Sequence, residues 1–119
     1  MTTQEPKKRT FEFGIRVVRA VEALPRSEVA RDIGRQLLRA GTSVGANCRA
    51  AARAKSRADF VAKLGIVEEE CDAAAYWMEV IIALKILKPT RLTRLHTESG
   101  ELLAIVVASI KTARRTRRT

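Results

Sequence analysis

The chain has 119 residues, 46% of them hydrophobic and only 4% aromatic, which fits a single domain with a packed core. Abundant alanine with few aromatic residues favours closely packed helices and argues against a β-sandwich. The formal net charge of +10 predicts attraction to polyanions, to nucleic acid first and to an anionic membrane surface second.

The cysteines and the apolar stretches indicate a compartment. Cys48 and Cys71 form no C-x-x-C pair, and we interpret them as buried thiols in a reducing environment. The longest apolar stretch, Leu102–Ala108, is too short to cross a bilayer, and no apolar signal-peptide run follows the N-terminal basic residues. We therefore expect a cytoplasmic protein that does not bind membranes.

The first predicted helix spans about residues 7–23 and follows residues 1–6, which we expect to be disordered. Four apolar residues recur at helical spacing in it: Phe11, Ile15, Val18 and Val21. The helix ends at Leu24, because a residue that precedes proline disfavours the α-helical region. Ser27 is then predicted to cap the second helix.

The segment Gly41–Gly45 is either a loop between two helices or part of one long second helix. Glycine propensity supports the loop. On a continuous helix, however, six arginines fall within an arc of about 80°. They are Arg31, Arg35, Arg39, Arg49, Arg53 and Arg57. A loop at Gly41 would break this phase, so we favour one helix whose two glycines let a neighbouring helix approach. Thr42 and Ser43 are expected to bond back to carbonyls one turn earlier.

The third helix has the clearest pattern and starts at the capping segment Ser56–Asp59. One row has the spacing of a bundle seam: Phe60, Leu64, Val67, Cys71, Ala74, Met78 and Ile81. A second row lies beside it: Ile66, Ala73, Trp77, Val80, Leu84 and Leu87. Two rows exceed what a one-sided helix needs, so this helix is either central or contacts another subunit. We predict that the first five members of the second row form an oligomer interface.

The fourth helix is predicted from about Thr90, because Lys88-Pro89 stops the third. Its apolar residues are Leu92, Leu95, Leu102, Leu103, Val106 and Ile110. Ser99-Gly100 weakens it, so we expect either helix through this point or a local break. The helical domain is thus predicted over residues 7–113, followed by a basic tail over residues 114–119.

The sequence offers little for catalysis or metal binding. His96 is the only histidine, and no glutamate lies three residues before it, so the E-x-x-H pair of di-iron bundles is missing. Glu68, Asp72 and Glu79 share a helix face, where a solvated or arginine-paired surface is favoured over a metal or general-acid site. The glycines lack the lysine of a phosphate-binding loop. We predict no enzyme activity, no metal and no cofactor.

Charge is unevenly distributed along the chain. Residues 26–57 carry 8 basic and 2 acidic groups, whereas residues 58–88 carry 3 and 6. We expect some arginines of the second helix to pair with carboxylates of the third, and the surplus to contact phosphates without reading sequence. The predicted phosphate contacts are the six arginines of the second helix together with Arg114, Arg115, Arg117 and Arg118.

Three segments of the chain resemble the 23S ribosomal RNA intervening-sequence protein family. They are "QLLRAGTSVGAN" (Gln36–Asn47), "RADFVAKLGI" (Arg57–Ile66) and "AAYWMEVI" (Ala74–Ile81). The chain departs from the family at Ala40, usually serine, and at Ala50, often glutamate. The resemblance, which also extends to the accessory protein of diversity-generating retroelements, implies an all-α, up-down antiparallel four-helix bundle assembled as a ring-shaped homopentamer.

Two functional hypotheses follow. The first is a non-enzymatic oligomer that binds RNA or DNA through basic surfaces, with weak contacts that add up because the ring repeats them. The second is a protein-interaction adaptor whose basic face docks an acidic protein, which the retroelement relative's partner role suggests by analogy.

Overall fold

The computed structural model describes residues 4–116, which form four helices and no strand. The helices are α1 (Gln4–Glu22), α2 (Glu28–Ala52), α3 (Arg57–Leu84) and α4 (Pro89–Thr116). The start of α1, the end of α2, the start of α3 and the end of α4 line one cavity, so neighbouring helices run antiparallel. Each helix backbone approaches two others, and α1 beside α4 closes the bundle. Within the described residues no helix is long and apolar enough to cross a membrane.

The core combines one face of each helix. The predicted seam of α3 is confirmed, since six of its seven residues are buried and Phe60 is half-buried. In α1 the buried hydrophobic residues are Phe13, Val17 and Ala20, whereas Phe11 and Ile15 of the predicted apolar row are exposed. Two adjacent apolar rows lie on α1, and the bundle buries only one of them.

The second helix runs unbroken through its glycines, so the loop alternative is wrong. A Cβ atom placed on Gly41 would lie 2.6 Å from Cγ2 of Val17, and one on Gly45 would lie 3.1 Å from the carbonyl oxygen of Thr10. The two glycines therefore let α1 approach α2 closely, as predicted. The Thr42 hydroxyl donates a hydrogen bond to the carbonyl of Leu38, one turn earlier in the same helix, at 2.7 Å.

Several helix boundaries differ from the prediction. Helix α1 begins at Gln4, because Pro6 lies in the first turn, where no backbone N–H donor is needed. Helix α3 ends at Leu84, where Lys85 adopts a left-handed conformation with φ of 58°, four residues before the expected stop. Helix α4 is continuous through Ser99-Gly100 and extends to Thr116, into the stretch predicted as tail.

The contact between α1 and α4 is the smallest of the four helix–helix contacts. Arg9 bridges it: its Nε donates to Oε2 of Glu98 at 3.0 Å, and its Nη2 donates to Glu98 and to Glu101. The hydrogen bond with Glu98 raises the pKa of Arg9 further above its ordinary value, so the guanidinium remains charged. An ion pair therefore supplements the small α1–α4 packing contact.

Gly41→Ala is expected to destabilise the protein by roughly 1–2 kcal/mol. The new methyl group would meet the branched side chain of buried Val17, and such overpacking outweighs the better helix propensity of alanine. The matched control is Gly100→Ala, where nothing lies within 4 Å of the added Cβ, and a gain of about 0.5–1 kcal/mol is expected. Urea unfolding at one protein concentration measures both changes, and changes of the same sign would contradict the close α1–α2 approach.

Arg9→Gln is expected to lower the free energy of unfolding by about 1–3 kcal/mol, because Glu98 is only 17% exposed and would lose a bidentate partner. Arg19→Gln removes a comparable but exposed pair with Glu22 and should cost no more than about 0.5 kcal/mol. Equal losses in the two variants would show that the α1–α4 bridge adds nothing beyond a surface ion pair.

Candidate nucleic-acid interface

Basic residues from all four helices converge at one end of the bundle. The antiparallel arrangement brings residues 4–8, 49–60 and 108–116 together around the cavity of about 420 Å³ that Lys7 and Phe60 help to line. These stretches carry nine basic residues and only two carboxylates, Glu5 and Asp59. The basic residues, which we call the basic end, are Lys7, Lys8, Arg49, Arg53, Lys55, Arg57, Lys111, Arg114 and Arg115.

The cations of the basic end are unpaired. Within the described residues, none of the nine forms a side-chain ion pair, and all are exposed except Lys7, which is half-buried. Asp59 is already engaged by Lys63 at 2.8 Å, and this hydrogen bond lowers the pKa of Asp59. The basic end therefore carries a surplus of positive charge that the chain itself does not neutralise.

Helix electrostatics explain only part of this arrangement. Arg49 and Arg114 lie near helix C-termini, where positive charge favours the macrodipole. Lys7 and Arg57 lie in the first turns of α1 and α3, where positive charge opposes the macrodipole and costs about 0.3–1 kcal/mol each. Helix stability gives no reason for cations at these two positions.

The structure divides the predicted row of six arginines. Helix α2 ends at Ala52, because Arg53 adopts a non-helical capping conformation and Ser56 caps α3 by accepting a hydrogen bond from the Asp59 N–H. Arg57 is therefore the first residue of α3, and the prediction that one helix carries all six arginines is wrong. Arg49, Arg53 and Arg57 lie at the basic end, whereas Arg31 lies about 27 Å away along the α2 axis, by the rise of an α-helix.

Two arginines of the row already have partners. Arg39 pairs with Glu70 of α3 at 3.2 Å, which confirms the expected pairing between the second and third helices for one pair within the chain. Arg35 pairs with Asp32 at 3.2 Å on its own helix. Arg117 and Arg118 lie outside the described residues, so the predicted contacts from them stay predictions.

Four basic residues of this end were absent from the sequence prediction: Lys7, Lys8, Lys55 and Lys111. The available signal was the topology. In an up-down bundle the starts of odd-numbered helices meet the ends of even-numbered ones, so cations that are distant in sequence add to one surface.

The acidic and thiol groups form no recognisable reactive centre. Among the described residues, no group of three or more His, Cys, Asp or Glu side chains is placed to hold a metal ion. Glu79 instead pairs with Nε2 of His96 at 2.8 Å. Cys48 and Cys71 are free and buried, as predicted, and burial raises the pKa of the Cys71 thiol to about 12.

The second row of α3 is divided between core and surface. Ala73, Trp77 and Val80 are half-buried and pack against the core of their own chain, whereas Ile66 and Leu84 are exposed. Because the backbone of α3 approaches only α2 and α4, a central position for α3 is ruled out within one chain. Ala73, Trp77 and Val80 therefore pack within their own chain, and the subunit contact through this row stays a prediction.

The family profile of the 23S rRNA-intervening sequence protein matches residues 3–108. The chain belongs to this family. The resemblance identified from the three sequence segments is therefore confirmed.

A solved crystal structure has the same fold as this member of the 23S rRNA-intervening sequence protein family. It is a crystal structure of a protein of unknown function from the S23 ribosomal protein family of Bacteroides thetaiotaomicron. The two chains are 32% identical with a TM-score of 0.86, and the match covers 93% of this chain and 99% of the other. No curated protein matches the chain. The family name associates these proteins with ribosomal RNA.

Cys71 is expected to resist alkylation by iodoacetamide in the native protein. Alkylation needs the thiolate, and with a pKa of about 12 only about one thiol in ten thousand is ionised at pH 8. Mass spectrometry of the labelled peptide should show modification only after denaturant is added. Rapid labelling of Cys71 in native protein would contradict its burial in the core.

Proposed function

We propose that the protein is a non-enzymatic, homo-oligomeric four-helix bundle that binds nucleic acid through its basic end. The observation that carries this proposal is the surplus of nine basic residues at one end, drawn from all four helices and without side-chain ion pairs among the described residues. Two of them, Lys7 and Arg57, occupy helix positions where positive charge lowers stability. A polyanionic ligand supplies the compensation that the chain lacks.

The chemistry of this end suits phosphate more than bases. Arginine and lysine contact phosphate oxygens with little dependence on sequence, and such contacts give an affinity that falls steeply with salt. Long exposed side chains on helix ends adapt to a flexible backbone. The family name makes ribosomal RNA the first nucleic acid to test, with double-stranded DNA beside it.

The proposal includes an oligomer because the basic end of a single chain offers few phosphate contacts. If several chains assemble as a ring, each repeats the basic end, and binding at one end raises the effective concentration of the next. Five subunits are what the family resemblance implies.

The test uses two variants that remove equal charge from opposite ends. Arg53, Arg57 and Arg114 change to Gln in the first, and Arg31, Arg35 and Arg91 change to Gln in the second. The first should weaken RNA binding and lower the slope of log K against log salt by about 2–3 for each basic end that contacts the RNA, because roughly 0.7–0.9 counterions are released per phosphate contact. The second should keep the wild-type slope. Fluorescence anisotropy across a salt series measures this.

Light scattering on the same samples serves as the control, because an unchanged oligomer mass assigns the effect to charge at the basic end. Equal slopes in the two variants would contradict the localisation. Failure of the wild type to bind RNA or DNA at low salt would overturn nucleic-acid binding, and the adaptor hypothesis, with an acidic protein on the same surface, would replace it.

A further inference from the structure

Exposed large hydrophobic side chains are concentrated on two surfaces of the molecule. Six such residues occur among the described residues, and five of them lie on α1 or α3. Phe11 and Ile15 are 62% and 45% exposed on α1. Ile66, Tyr76 and Leu84 are 41%, 57% and 50% exposed on α3. Helices that have a core face of their own do not need these apolar residues for folding, which indicates contact with another molecule.

The first surface is a groove of about 700 Å³ between α1 and α2. Phe11, Ile15 and Val18 form one wall, Ala46 lies on the other, and the close approach at Gly45 forms the floor. Its charged lining residues are Lys7, Lys8 and Arg49, three of the nine cations of the basic end, so the other six lie outside the groove. This α1–α2 groove is concave, apolar and basic at its rim.

The second surface is the outer face of α3. It is convex, because the backbone of α3 approaches only α2 and α4 and its outer side is uncovered. Two carboxylates, Glu69 and Asp72, are exposed beside Tyr76. Among the exposed residues of α3 beyond its first turn there is no cation, and the remaining carboxylate, Glu79, is paired with His96. The face is therefore apolar and acidic.

We infer that the outer face of α3 in one copy docks in the α1–α2 groove of a second copy. A convex helix face fits the channel between two helices, as in other helix-in-groove contacts. The opposite charges of the two surfaces decide the pairing. Groove against groove would oppose Lys8 and Arg49 with their own kind, and α3 against α3 would oppose carboxylates, so both symmetric pairings are repulsive.

The contact is therefore heterologous: each copy uses one surface to bind the preceding copy and the other to bind the following one. Such contacts close into rings or continue as filaments, and they do not stop at a dimer. This inference rests on the proposed homo-oligomer and adds to it which surfaces meet.

The test mixes two variants that each lose one surface. Phe11→Gln with Ile15→Gln removes the apolar groove wall, and Ile66→Gln with Tyr76→Gln removes the α3 face. Neither pair of substitutions alters net charge. Each variant alone should be a monomer of 13.2 kDa by light scattering. Mixed in equal amounts, they should form a dimer of twice that mass, because the intact groove of one accepts the intact face of the other.

Circular dichroism checks that each variant is helical, and Val29→Gln, at the sixth exposed hydrophobic residue, is the matched control that should keep the wild-type mass. A variant that dimerises alone, or a mixture that stays monomeric, overturns the pairing. A monomeric wild type overturns both the pairing and the proposed oligomer. RNA binding of these variants is measured separately, because the nine cations of the basic end are unchanged in all of them.

Discussion

The close approach of α1 and α2 determines most of what the molecule presents to its surroundings. Gly41 and Gly45 remove the side chains that would hold the two backbones apart, and Val17 occupies the space so gained. With α1 seated in this way, Phe13 faces the core, and Phe11 is left on the outside. The close packing of α1 on α2 therefore creates both a tight helix pair and the apolar groove between the two helices.

Three of the four sides of the bundle show different stabilising interactions. The α1–α2 side depends on close backbone packing, the α2–α3 side combines a core seam with the Arg39–Glu70 pair, and the α1–α4 side depends on Arg9. Charge is also unevenly distributed, since the described ion pairs lie along the helices, whereas the nine cations of the basic end take part in none of them. The cations in the first turns of α1 and α3 lower the stability of the fold, and such local costs are typical of functional surfaces.

Local sequence signals predicted much of the fold. The Ser27 and Ser56 caps are interactions within a few residues, the α3 seam and the continuous α2 were predicted from periodicity along one helix, and each is found. Local signals could not predict which row of α1 is buried, because Phe11 and Phe13 both belong to apolar rows. The packing of Val17 against Gly41 decides that the row of Phe13 faces the core. The single row of six arginines was wrongly predicted for a similar reason: their phase assumed one helix, whereas the cap at Ser56 begins another.

The even number of helices has a further consequence. The chain enters the bundle at Gln4 and leaves it at Thr116, and both points lie at the basic end. A domain or affinity tag joined to either terminus would therefore stand over the cationic surface, whereas the α2 start and the α3 end, at the opposite pole, would remain clear. An insertion in the Lys85–Lys88 turn is the position from which a fused reporter would leave that surface unobstructed.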